Sequence, residues 1–168
     1  DGHRNNDPNI YFTFGTSMHE VIQDWLTILY EESGVKADEV NLEEEFQTKF
    51  IELYQKEYKK FNNTHYSSPK QLREFFEDGV AILDFLKKKR KQYFGGRGWH
   101  LAGIETPIVM NVSKNVIYKG YIDLILYHEP TNKFYIYDIK TSTNGWRDRD
   151  KKDETKQMQL VLYKKFFN

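Results

Sequence analysis

Two aspartates stand where aspartates are costly. Asp123 lies inside Gly120-Tyr121-Ile122-Asp123-Leu124-Ile125-Leu126, and Asp138 inside Phe134-Tyr135-Ile136-Tyr137-Asp138-Ile139-Lys140. Both runs read as strands, where aspartate is a poor former and, if buried without a partner, an expensive residue. A turn centred on Pro130-Thr131 opposes Asp123 to Asp138, with Cβ atoms about 5 Å apart, and Ile125 to Ile136 on the same face. Leu124 then meets Tyr137 on the other face, so the acids interrupt an otherwise apolar pair of strands. Two ionised carboxylates that close repel each other; either one holds a proton or a cation sits between them. Lys140, two residues beyond Asp138, projects from the same face of a strand. An isolated Asp-x-Lys in a strand is more often a plain ion pair. Two opposed acids with a lysine beside them form an oxygen-donor site suited to Mg²⁺ or Mn²⁺ rather than zinc.

Four further residues have the chemistry to join such a site. His19 stands four residues after Gly15, on one face of a helix. A lone histidine on an apolar face is usually a packed residue, and Gly15 could simply precede the helix. A glycine inside the helix would instead permit a close approach of backbone. Gln159 and Tyr163 are likewise one helical turn apart, an ordinary spacing by itself. Glu105, in Gly103-Ile104-Glu105-Thr106-Pro107, faces either solvent or the two aspartates.

The elements that must position these residues follow from periodicity. Apolar positions Met18, Val21, Ile22, Trp25, Leu26 and Leu29 predict a helix from about Phe14 to Glu32, opened by a Ser17–Glu20 capping box or nearer Thr13, with Gly34 as its stop. A second helix is predicted from Leu42 to Phe61 behind an Asn41 N-cap. Ser68-Pro69-Lys70-Gln71 has the form of cap, first-turn proline and capping glutamine, opening a third helix that reaches about Tyr93. Its run Lys87-Lys88-Lys89-Arg90-Lys91 reads first as a solvated helix end, favoured by the helix dipole, and second as a phosphate-contacting patch. Strands are expected at about Leu101–Val112, Val116–Tyr127 and Lys133–Thr141, the last two forming an antiparallel hairpin. A polar loop covers 142–152; its mixed charge reads first as a solvated loop and second, at Trp146 and Arg147, as a contact for unpaired DNA. An amphipathic helix starts near Asp153. Helices, a meander of strands, then a helix make an α/β chain of mixed α+β character.

Composition bounds the function. The 168 residues are enough for one domain. They carry 25 basic and 25 acidic side chains, so any nucleic-acid surface must be local rather than global. There is no cysteine, which excludes disulfides, zinc thiolates and iron–sulfur clusters within this chain. No apolar run approaches the roughly 20 residues of a membrane span, and a cytoplasmic protein is expected, whether nucleoid-associated or viral and acting in host cytoplasm. A start at Asp1-Gly2-His3-Arg4 and an end at Phe166-Phe167-Asn168 read as a piece of something longer.

Taken in order, these pieces resemble the RecB-type branch of the PD-(D/E)XK nuclease superfamily. Gly15-Thr16-Ser17-Met18-His19 is similar to its GxxxH helix motif, Gly120 to Asp123 to its GxxD strand, Asp138-Ile139-Lys140 to its (D/E)xK strand, and Gln159 to Tyr163 to its QxxxY helix motif. The resemblance spans residues 15–163. It implies a restriction-endonuclease-like domain over 1–168, a central mixed sheet flanked by helices, with a helical part at about 14–94 and the sheet and final helix at about 99–168. It implies His19, Asp123, Asp138 and the Ile139 main-chain carbonyl as metal ligands, with Glu105 as a further candidate. Lys140 would orient the attacking water and steady phosphate charge, while Gln159 and Tyr163 would line the site. The activity implied is Mg²⁺- or Mn²⁺-dependent hydrolysis of DNA, by analogy from ends, in recombination, repair or processing. The DNA would be single- or double-stranded, and a fused or partner helicase is among the implied associations. The cluster-bearing members hold an iron–sulfur cluster by four cysteines, which this chain lacks. The alternative is a nuclease-like domain that binds nucleic acid or protein without cutting.

Overall fold

A computed structural model describes residues 7–114, 116–140, 161 and 163. The chain divides into two compact units, 1–93 and 94–168. In the first, α1 (Ile10–Thr27) runs into a π-helical turn (Ile28–Glu32), followed by α2 (Gly34–Glu39), α3 (Leu42–Lys60), α4 (Pro69–Lys88) and the short α5 (Arg90–Tyr93). In the second, β1 (Trp99–Ser113), β2 (Val116–His128) and β3 (Lys133–Tyr137) form an antiparallel sheet in the order β1-β2-β3, with a 3₁₀ turn (Glu129–Thr131) before β3. The expected final helix and the 142–152 loop fall outside the described residues, apart from Val161 and Tyr163, which are helical.

The first helix starts earlier than its apolar stripe suggests. Asn9 caps it, its side chain accepting from the Tyr11 amide, and Ile10 and Phe14 extend the buried stripe backwards. Ser17 is therefore no cap: it is buried in the helix, its hydroxyl donating to the carbonyls of Thr13 and Phe14. Gly34 is not a stop. Ser33 is in extended conformation and caps α2 by accepting from the Lys36 amide, so Gly34 begins a helix. Trp25 docks that helix, its indole N–H donating to the Ala37 carbonyl at 3.0 Å.

α3 and α4 follow their caps as read. Asn41 accepts from the Glu44 amide, and Ser68 with Gln71 forms the reciprocal capping box behind Pro69. The core of the unit is aromatic. Phe46 is fully buried and stacks on Phe50 (5.4 Å, 16°) and Phe76 (5.9 Å, 9°), and its ring lies so close over Gly79 that a Cβ there would collide with it. The basic run is partly structural. Lys87 donates to the Val40 carbonyl and Arg90 pairs with Asp38, both at 2.7 Å, while Lys88, Lys89 and Lys91 are exposed.

In the sheet, Ile122, Leu124 and Leu126 of β2 are fully buried on one face. Register shifts between Leu101 and Gly103 and between Asn111 and Ser113 bend β1 without changing its partner. All described strand pairs are antiparallel, so the α+β character is as expected and the described sheet contains no parallel pair.

Candidate active site

The hairpin register matches the symmetric turn. Leu124 pairs Tyr137 and Ile125 pairs Ile136, so continuing the register by one step sets Asp123 across from Asp138. The ladder stops at Tyr137, however, and Asp138, Ile139 and Lys140 follow as an unladdered stretch rather than a strand reaching Thr141. The reason is local. The Ile139 amide donates to Asp123 Oδ2 at 2.6 Å, so a carboxylate takes over where a strand carbonyl would have accepted. A charge-assisted bond of this kind is stronger than the neutral one it replaces.

Asp138 also has a partner. Lys140 Nζ lies 2.7 Å from Asp138 Oδ2 and 2.8 Å from Oδ1, a forked contact. The Asp138 side chain is only 12% exposed and the Lys140 side chain 40%, so the acid is largely covered while the ammonium reaches solvent. The cation beside the acids is thus supplied by the chain itself. Next to them, burial pushes the Tyr137 phenol above its ordinary range, aided by Tyr135.

Glu105 takes the third position. It falls between the paired Ile104–Leu124 and Thr106–Ile122, at the step across from Asp123. Its φ is +44°, left-handed backbone in the middle of a strand. A non-glycine residue there stores about 1–3 kcal/mol, and such strain gathers at functional sites.

Tyr163 is buried, its hydroxyl donating to the Tyr121 carbonyl at 2.8 Å, two residues before Asp123. It belongs to a small core with Ile108, Ile122 and Ile125. The contact described for it is therefore with the backbone of the strand that carries Asp123, rather than with Lys140. His19 lies on α1 in the helical unit, half-buried, and Gly15 lies inside the helix rather than before it. Gln159 lies outside the described residues. Asp123, Asp138, Ile139 and Lys140 are brought together within the sheet unit, and Glu105 is aligned with them by register.

No group of three or more His, Asp and Glu side chains is close enough to hold a metal among the described residues. The donor set nonetheless suits a hard cation. Mg²⁺ keeps several waters and is held by one or two carboxylates with substrate phosphate, and two aspartates one register step past a ladder supply that minimum. The Ile139 amide contact and the Tyr163 anchor are invisible to pattern reading, because each ends on a backbone atom that every residue type possesses.

A family model for the PD-(D/E)XK nuclease superfamily matches residues 2–166. The chain belongs to that superfamily of nucleases, whose fold is restriction-endonuclease-like. Comparison with curated proteins and with solved structures returned no match. Among the described residues no helix is long and apolar enough to cross a membrane.

Proposed function

We propose that the chain is a divalent-metal-dependent deoxyribonuclease of the RecB type, a single nuclease domain acting from DNA ends in recombination, repair or processing. The observation that carries this reading is the convergence of Asp123 on the central strand with Asp138 and Lys140 just past the end of β3, in a chain of a nuclease superfamily. Mg²⁺ or Mn²⁺ would be held by Asp123, Asp138 and the Ile139 carbonyl, with Glu105 at the margin. The resemblance alone adds His19 as a ligand and Gln159 as a lining residue. The cation, when bound, lowers the pKa of its water and polarises the scissile phosphate.

The chain's own residues do the rest. Lys140 sits on Asp138 and brings positive charge to where the phosphate gains negative charge during in-line attack. The Ile139 amide holds the Asp123 carboxylate in place. Tyr163 fixes the strand just before it.

The test is cleavage of end-labelled linear and closed circular DNA, single- and double-stranded, with Mg²⁺, Mn²⁺ or EDTA. Metal-dependent loss of linear DNA alone is expected. Lys140→Ala should lower the rate by about 10²–10³-fold, the typical cost of losing one transition-state charge partner, with folding intact by circular dichroism. Cutting of circles would replace end-dependence with internal cleavage. Absence of cleavage under every condition would sink the catalytic reading in favour of a binding domain.

A further inference from the structure

The basic run at the end of α4 divides into two sets. Lys87 donates to the Val40 carbonyl and Arg90 pairs with Asp38, and these ties hold the segment against α2. Lys88, Lys89 and Lys91 are exposed, and their side chains form no ion pair or hydrogen bond among the described residues. Asp84, one turn before Lys88, is exposed too and makes no ion pair with it. A helix end attracts lysines, but by a limited amount. Its C-terminus carries about half a negative charge, which a single lysine offsets. The end of α3 is in that proportion, with Lys59 beside a Lys60 that pairs with Glu57. Three uncompensated lysines at one end exceed what the dipole calls for.

The second observation is apolar. Phe85 is 48% exposed and Tyr93 42%, and their rings lie 6.0 Å apart. Phe85 stands two residues beyond buried Leu83, on the other side of the helix from the Phe75, Gly79 and Leu83 stripe that α4 buries. Lys89 joins the two rings. Its amide donates to the Phe85 carbonyl at 2.9 Å, and its carbonyl accepts from the Tyr93 amide at 3.2 Å. Phe85, Lys89 and Tyr93 thus form one column at four-residue steps, with Lys88 and Lys91 beside it. Eight residues at about 1.5 Å each make the column about 12 Å long.

We propose that Lys88, Lys89 and Lys91, with the Phe85–Tyr93 ring pair, form a docking surface for an unpaired DNA strand, the lysines contacting its phosphates and the rings stacking on a base. This rests on the reading of the chain as a deoxyribonuclease and names the form of DNA it takes. Charge complementarity sets the class of partner. A chain with 25 basic and 25 acidic side chains binds a polyanion only through a local surplus, and these lysines are one. The rings narrow the class. A duplex keeps its bases stacked on one another, whereas an unpaired strand offers its π-faces, and every base has one.

The experiment is a fluorescence-anisotropy titration of labelled single-stranded DNA, and of a blunt duplex of the same strand, over a range of salt in EDTA so that no cutting occurs. Circular dichroism checks that each variant is folded. The triple change Lys88→Gln, Lys89→Gln and Lys91→Gln should flatten the slope of log affinity against log salt by about 2, at about 0.7 per phosphate contact on a single strand, and weaken binding by roughly 100-fold at about 0.1 M salt. Phe85→Leu keeps an apolar helix former and removes the ring. It should weaken single-strand binding by roughly 5- to 150-fold, the range for one stacked base, with the salt slope and duplex binding unchanged. Phe85→Tyr should restore single-strand binding. Lys56→Gln with Lys59→Gln, which removes exposed lysines of α3, should leave the slope unchanged. An unaltered slope in the triple variant, an equal flattening in the α3 variant, or unchanged single-strand binding by Phe85→Leu would each overturn the proposal. So would a Phe85-dependent loss of duplex binding, or binding to phosphatidylserine vesicles with none to the single strand. Cleavage assays in Mn²⁺ separate the two readings. Cutting by a chain whose binding ignores these lysines defeats the docking surface alone, and lysine- and Phe85-dependent binding without cutting defeats the nuclease assignment alone.

Discussion

The helical unit and the sheet unit are stabilised by different means. Residues 1–93 bury Phe14, Phe46, Phe50 and Phe75 against one another, and polar groups serve as caps and ties: Asn9, Ser33, Asn41 and Ser68 at helix starts, Arg90 on Asp38, Lys49 on Glu20 and Asp24. Residues 94–168 bury Ile122, Leu124 and Leu126 but also cover Asp138, hold Asp123 against a main-chain amide and keep Glu105 at positive φ. In the first unit polar chemistry serves the fold. In the second, a covered carboxylate and a residue at positive φ cost the fold stability, as groups kept for a site would.

Three changes sharpen or break that contrast. Phe46→Ala should cost the helical unit about 3–5 kcal/mol, the usual loss for a buried Phe, read from urea unfolding; a loss under about 1 kcal/mol would mean the aromatic stack is not its core. Glu105→Gly should move the other way, raising stability by about 1–3 kcal/mol as the strained φ is relieved, while metal-dependent cleavage falls. A Glu105→Gly variant that is less stable would show that the strained backbone is not a cost set aside for function. The smallest effect belongs to Lys49. Its hydrogen bond to Asp24 lifts the ammonium above the ordinary lysine range, against desolvation. A raised folded-state pKa means stabilisation that is whole below the ordinary lysine value and fades as pH climbs through the raised one. Lys49→Met should therefore cost no more than about 1 kcal/mol near neutrality, and the gap from the unaltered chain should close in strongly alkaline buffer. A gap that widens there would reverse the sign.

Much of this is legible in residue order, for physical reasons that differ by element. Asn41 and Ser68-Pro69-Lys70-Gln71 announce their helices because capping uses side chains that few other positions favour. The hairpin register is legible because its turn sits symmetrically at Pro130-Thr131. The start of α1 is not, because Tyr11 and Phe12 are exposed and break the apolar stripe just where Asn9 begins it. Gly34 misleads because a glycine after a helix and a glycine opening the next look alike; Ser33 decides between them. At the site, alternation finds Asp123, Asp138 and Lys140, but nothing in residue type foretells that β3 would stop at Tyr137 or that Glu105 would turn to positive φ. Those depend on which backbone donor meets which acceptor, and the Ile139 amide meets a carboxylate.

That amide contact gives Asp123 two occupations. Besides facing the site, its carboxylate ends β3 and receives the chain as it leaves the sheet. A descendant that had given up cutting would still need an acceptor at this position to finish the hairpin. Retention of Asp123 among relatives would thus speak for architecture as much as for activity. Lys140, whose described partner is Asp138, serves no such edge of the sheet. Its loss, with Asp123 kept, would be the mark of a silenced copy.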